Sequence, residues 1–349
     1  MTYRAGLLLA LLALAGPALA DEDFVRCGAM AQRVPDQALE HCDRALKSGL
    51  LLPQEASIAH RNRAVAWRTK SDVDHALADL DEAIRLDPTN ADAYVMRGVA
   101  WRHKQDDGRA LQDFESALRL HPDPAALGAR GDLYRRHGDL EKAIADYSEA
   151  IKLAPERSLG YRVRGAARLQ HAEYALAADD YAEALRREPT MPTGHRMVGI
   201  VRYAAAQYDR SASELDLAVG EETRDAQALL WRYLAQRRAG LLEAAEAHLV
   251  RDAPRAAPKD PRDWPAPLLD LYLGRVSLAD IQAVAVEGDE KQRSARRCEL
   301  DFFAGELLLV QGQPAAGLPL VQSAATACQA ESFHAIAARA ELLRNGLGR

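Results

Sequence analysis

The chain has 349 residues, with 45 Lys and Arg against 51 Asp and Glu, a formal charge of -6, and 6% aromatic residues. So weak an acidic excess argues against bulk nucleic-acid binding, and the length is ample for a large core or a repeat array. Abundant alanine and sparse β-branched residues favour helix over sheet.

Residues 1–20 read as an export leader. Arg4 precedes the apolar run 6–14, small residues follow, and Ala18-Leu19-Ala20 stands before Asp21-Glu22-Asp23. Cleavage after Ala20 and a periplasmic mature chain are the expectation. The apolar run falls well short of the roughly 18 residues that a membrane span needs, so an uncleaved anchor is the weaker alternative. No later segment approaches a span. Cys27 follows Phe24-Val25-Arg26 and not a small residue, so it lacks the setting of a lipid-bearing cysteine.

Residues 21–56 predict a degenerate first unit, with 36–47 as its second helix and Ala38, Cys42 and Ala45 at packing positions. The four cysteines have spacings of 15 and 30 within the two pairs, with no C-x-x-C. Cys27 and Cys42 would face each other across the first helical hairpin. Cys298 is expected to begin a helix and Cys328 to end its antiparallel partner. In an exported chain this predicts disulfides Cys27–Cys42 and Cys298–Cys328, with free or metal-bound thiols as the alternative.

From 57 to 250 the sequence repeats. Ala76, Ala110, Ala143 and Ala177 are each followed four residues on by Leu80, Phe114, Tyr147 and Tyr181, then by Ala83, Ala117, Ala150 and Ala184, and each unit closes on Pro88, Pro122, Pro155 or Pro189. Upstream stand Arg63-Ala64, Arg97-Gly98, Arg130-Gly131 and Arg164-Gly165, with Trp67, Trp101 and Tyr134 three residues after the small one. Two weaker units continue around Gly199, Leu215 and Ala218 and around Leu229, Gly240, Ala245 and Leu249. A small residue is needed where two helices of a hairpin cross closely, and proline ends the second helix.

This succession resembles the tetratricopeptide repeat. The resemblance implies an all-α solenoid of helix-turn-helix units, a right-handed superhelix of about six units, whose first helices line an inner face that binds other proteins. Four Arg–Asp sets recur 16 residues apart, Arg63 with Asp79, Arg97 with Asp113, Arg130 with Asp146 and Arg164 with Asp180, and are expected to be structural ion pairs. In the fifth unit Val198 and Glu214 replace the pair; in the sixth Arg232 is expected to face His248. His103, His137 and His171 read as turn residues, since neighbouring units lie about 10 Å apart and metal–nitrogen bonds are about 2 Å. No H-E-x-x-H, phosphate-binding glycine loop or G-x-S-x-G occurs, and neither a cofactor nor a metal is expected. The expected partner groove comprises Arg61, Val65, Arg68, Met96, Val99, Arg102, Arg135, Arg136, Arg162, Arg196, Met197 and Tyr203, with Arg237, Arg238, Ile200 and Leu234 beside them. Arginine interleaved with apolar side chains suits an acidic client segment; the plainer reading is a solvated face.

Five prolines between 254 and 267 predict a linker over 251–267, followed by a helical cap over 268–349 with helices at 268–273, 278–286, 293–310, 314–327 and 331–344. Cys27 with Ala38-x-x-x-Cys42 and Asn62-Arg63-Ala64 looks like the opening segment of exported tetratricopeptide proteins of Gram-negative bacteria. Trp264-Pro265-Ala266-Pro267, Leu271-Tyr272-Leu273-Gly274 and the segment from Cys298 to Glu306 are similar to the tail of the new-lipoprotein-I family. That resemblance implies a scaffold for envelope proteases and cell-wall hydrolases, although the lipid-bearing cysteine is missing here. A non-catalytic scaffold is therefore the expected function. The other class considered is a carbohydrate-active or peptidoglycan-processing enzyme, which would place two carboxylates roughly 5 to 10 Å apart in a cleft.

Overall fold

A computed structural model describes residues 22–221, 225–256 and 263–347. The expected leader, 1–20, lies outside them. The described chain is all helix and loop and divides into two compact units, Met1–Ala154 and Pro155–Arg349.

The first unit holds α1 (22–30), α2 (Pro35–Lys47), α3 (Pro53–Thr69), α4 (Val73–Leu86), α5 (Ala91–His103), α6 (Asp107–Leu120), α7 (Pro124–Arg136) and α8 (Leu140–Leu153). Helices α3/α4, α5/α6 and α7/α8 are hairpins, and each second helix also packs on the next first helix. The crossings explain the small residues. A Cβ on Gly98 would lie 2.7 Å from Phe114 Cε1, and one on Gly131 2.8 Å from Tyr147 Cε1, inside contact distance. Short side chains start several of the helices: Asp72, Asn90, Asp106 and Asp123 each accept from the backbone N–H three residues on. Second helices end at Asp87, His121 and Ala154, each before a proline that cannot continue the ladder. The Cys27–Cys42 disulfide joins α1 to α2, with Cα atoms 4.7 Å apart.

The second unit holds α9 (Ser158–Gln170), α10 (Tyr174–Arg187), α11 (Gly194–Ala204), α12 (Tyr208–Glu221), α13 (Ala226–Arg238), α14 (Leu242–Ala256), α15 (Ala266–Tyr272), α16 (Leu278–Ala285), α17 (Glu290–Val310), α18 (Pro314–Ala327) and α19 (Phe333–Arg344). Two boundaries differ from expectation. Helix α14 runs to Ala256 through Pro254, six residues beyond the last residue assigned to the array, because buried Asp252, Ala253 and Ala256 hold its last turns. Helix α15 starts at Ala266, inside the expected linker, of which 257–262 lies outside the described residues. Cys298 stands two turns inside α17, since the Asp289 cap starts that helix earlier. It bonds Cys328, just past the end of α18, with Cα atoms 5.0 Å apart. Helices α17 and α18 form a further hairpin whose close crossing is at Gly305 and Gly317. The cap does not simply close the end of its unit. Helix α19 packs on α11, and α17 packs on α13 and α19, so the first helices of the fifth and sixth repeat units, α11 and α13, are covered by the chain's own C-terminal helices.

Candidate functional site

The four Arg–Asp sets are at ion-pair distance in both units. Arg63, Arg97 and Arg130 each address their aspartate through two guanidinium nitrogens at 2.6 to 2.9 Å. Arg164 holds Asp180 at 2.6 Å, and Arg168 adds a second cation at 2.7 Å. The four carboxylates are buried, 3 to 7% exposed, so each guanidinium satisfies a group that water cannot reach. Two arginines also reach an acid on the preceding second helix, Arg63 to Asp43 at 2.6 Å and Arg97 to Asp81 at 2.8 Å. Burial pushes the Asp79 carboxyl up, but His60 and Arg63 outweigh it and hold the group below its ordinary value. Asp113 has no histidine beside it, and there burial wins against Arg97, leaving the carboxyl raised.

The sixth set departs from expectation. Arg232 does not face His248 but lies between Asp252 at 2.7 Å and Asp216 at 3.3 Å. Its acid stands 20 residues on, one turn beyond the usual place. His248 holds the usual place and meets Gln236 at 2.9 Å. In the fifth set Val198 is buried, and Glu214 is bonded by His195 at 2.8 Å.

In the first unit α3, α5 and α7 carry Arg68, Arg102 and Arg135 of the expected groove, each five residues after its paired arginine. Arg68 is exposed. Arg102 lies 3.6 Å from Asp132 and Arg136 3.5 Å from Asp107, while Arg61 is bonded to Asp92. Several of these cations are thus partly neutralised by acids of neighbouring hairpins. His137 of the turn row also meets Asp107, at 2.9 Å. Met96 and Val99 are half-buried between the arginines, but Val65 is 6% exposed and belongs to the core with Ala31, Ala38 and Ala66.

The second unit treats its inner positions differently. Arg162 is exposed, Met197 is half-buried, and Arg196 bonds Asp225 at 2.6 Å. Tyr203, expected to line the groove, is fully buried, and its hydroxyl donates to Glu306 of α17 at 2.5 Å. Arg238 donates to the same carboxylate at 2.8 Å and reaches Glu341 of α19 at 3.0 Å. Arg237 donates to the Val310 carbonyl and Arg344 to the Ala204 carbonyl. Ile200 and Leu234 are core residues. Glu306 is wholly buried, and burial raises its carboxyl despite Arg238. Trp231, one residue before Arg232, stacks among Phe302, Phe303, Tyr203 and His334 with ring centroids 4.7 to 5.7 Å apart. Sequence reasoning missed this latch. Its available signal was Glu306, inside the apolar stretch 302–310, and Glu341, between Ala340 and Leu342.

Among the described residues no group of three or more His, Cys, Asp and Glu could hold one metal ion, and no helix is long and apolar enough to cross a membrane.

Close helix hairpins, small residues at their crossings and a 33- to 34-residue period define an all-α helix-turn-helix repeat array with a helical cap. Tetratricopeptide-repeat family models match residues 27–91, 70–125 and 124–157, so the chain carries tetratricopeptide repeats over residues 27–157. Among solved structures, the C-terminal part of a TPR repeat-containing protein from Cytophaga hutchinsonii is 15% identical, with a TM-score of 0.50 over 67% of this chain and 94% of that one. A tetratricopeptide repeat protein from Parabacteroides merdae is 18% identical, with a TM-score of 0.45 over 82% and 98%. The pilF protein of Pseudomonas aeruginosa is 20% identical, with a TM-score of 0.46 over 64% and 98%. Similarity at these identities concerns the fold. No curated protein matches the sequence.

Proposed function

We propose that the protein is a non-catalytic scaffold of the cell envelope that binds an acidic client segment on the inner face of α3, α5 and α7. The observation that carries this reading is the row Arg68, Arg102 and Arg135, one on each of α3, α5 and α7 and each five residues after a structural arginine, beside half-buried Met96 and Val99. Charge-assisted bonds from the row would hold carboxylates while the apolar residues seat side chains between them. In the second unit α19 packs on α11 and α17 on α13, which supports reading the first unit as the part that binds the client. Export is supported by the leader pattern and by two disulfides, which persist in oxidising compartments. A role beside envelope proteases or cell-wall hydrolases follows from the resemblance of the tail. The buried carboxylates are engaged by arginines, which favours architecture over acid–base chemistry.

The test begins with a client captured from an envelope fraction by the mature chain. Replacing two members of the row, Arg68→Glu with Arg102→Glu, is expected to weaken that client by about tenfold or more with little change in melting, since reversed charge repels acidic groups. Unchanged affinity in a folded double variant would move the binding site off this face.

A further inference from the structure

A cavity of about 700 Å³ opens in the second unit between the first three turns of α17 and the connection from α18 to α19. Its size suits a small ligand or one protruding side chain. The Cys298–Cys328 disulfide contributes to its lining and ties its two sides together, and Ala295 and Ala327 add apolar surface. Glu299 and His334 also line it.

Glu299 is the anomaly. The other buried carboxylates of this unit, Asp180, Asp252, Asp301, Glu306 and Glu341, each stand within 4 Å of an arginine. Glu299 is half-buried, and no Lys or Arg among the described residues stands at ion-pair distance from it. Its polar partners are neutral: Trp264 Nε1 donates to Oε2 at 2.8 Å, and the Gln227 side chain is the other donor. Burial pushes the carboxyl up, and these two donors only partly oppose that. A charge removed from water without a counter-ion is costly, and a cation supplied from outside would recover part of that cost. The lining matches such a guest: Asp289 and Glu290 add acid at the start of α17 against one lysine, Lys291. His334 is held near a pKa of about 4 by burial and by the nearby Arg196 charge, so it stays neutral and does not repel a cation. Its Nε2 has no hydrogen-bond partner.

We propose that this cavity binds an organic cation, an ammonium or guanidinium on a short aliphatic stem, with Glu299 as its counter-ion. The charged head sits at Glu299, and the stem lies along the disulfide and the two alanines. The cation is either a free small molecule or a lysine or arginine side chain of a docked chain. Neither source requires the acidic-client reading of the first unit.

The test uses the full mature chain and the indole N–H resonance of Trp264, assigned with Trp264→Phe. The probes are n-butylammonium, n-butylguanidinium and the peptide acetyl-Ala-Arg-Ala-amide, with the citrulline peptide as the uncharged control. The expected result is a saturable shift of the Trp264 resonance with at least one cation, about tenfold weaker or absent in Glu299→Gln and absent with citrulline. The glutamine oxygen still accepts the Trp264 bond, and because no internal cation is stranded the variant should melt no lower than the wild type. A melting loss in Glu299→Gln would mean that the carboxylate is already compensated and would overturn the proposal. So would the absence of a saturable shift with any cation up to about 10 mM, or equal binding by Glu299→Gln or by the citrulline peptide. Saturation by the small cations alone identifies a metabolite-type ligand, and saturation by the peptide alone identifies a client side chain.

Discussion

At the scale of single residues, the Arg–Asp sets separate structural charge from available charge. Asp113 is 4% exposed and takes two bonds from Arg97, whose side chain is 22% exposed and also touches Asp81. Asp113→Ala leaves a half-buried guanidinium with only its outer partner, so a loss of about 3 kcal/mol is expected by chemical denaturation. Asp81 is 59% exposed, and its replacement by alanine should cost less than about 1 kcal/mol. Equal losses at the two sites would contradict the assignment of Asp113 as the inner partner. The period of 16 between arginine and acid made the first four sets legible from the sequence. The sixth was not, because one extra turn of α14 puts Asp252 where a fixed spacing does not look.

At the scale of elements, the turn inside each of the six hairpins from α3/α4 to α13/α14 is set by one residue in the left-handed region: Ser71, Gln105 and Gly138 in the first unit, and Ala172, Ala206 and Gly240 in the second. Only glycine adopts that conformation without a Cβ penalty, yet four of the six are not glycine. The turn survives because tertiary contacts fix both helices, and because backbone bonds such as Gln105 N–H to the Arg102 carbonyl and Asp106 N–H to the Trp101 carbonyl close it. Gln105 has φ of 62° and lies on the surface, so Gln105→Gly should stabilise the first unit by about 1 kcal/mol, or slightly less once glycine's greater freedom in the unfolded chain is counted. Thermal melting would read this as a rise of a few degrees, and a fall would mean that the side chain makes a contact worth more than the strain.

At the scale of the whole chain, the decisive feature is that the C-terminal helices α17 and α19 pack on α13 and α11. His334 of α19 is packed against Trp231 of α13 and Phe302 and Phe303 of α17, and its pKa falls from 6.5 to about 4. The unfolded chain therefore binds a proton that the fold refuses between those values. This contribution is fully present above pH 6.5 and is lost as pH falls towards 4, by about 3 kcal/mol at most. Denaturation of the wild type at pH 7 and pH 4.5 should show a larger acid loss than the same pair of measurements on His334→Gln. Identical losses would mean that the ring is already charged, or hydrated, in the fold.

The sequence by itself determined the helix hairpins, their period, the small residues at each crossing, the proline ends and the paired charges within one hairpin, because all of these depend on neighbours less than one repeat away. It also marked both cysteine pairs, whose members end up on adjacent helices. Only the tertiary structure decided which arginines remain available. Arg68 and Arg238 look alike as inner-face cations in the sequence, but α17 and α19 carry Glu306 and Glu341 to Arg238 from 68 and 103 residues away, while Arg68 stays exposed. Tyr203 likewise reads as a groove residue until Glu306, 103 residues on, buries its hydroxyl. A repeat pattern specifies each helix's own faces through local periodicity. What covers a face depends on long-range packing of the chain's apolar surface, and no spacing within the repeat encodes it.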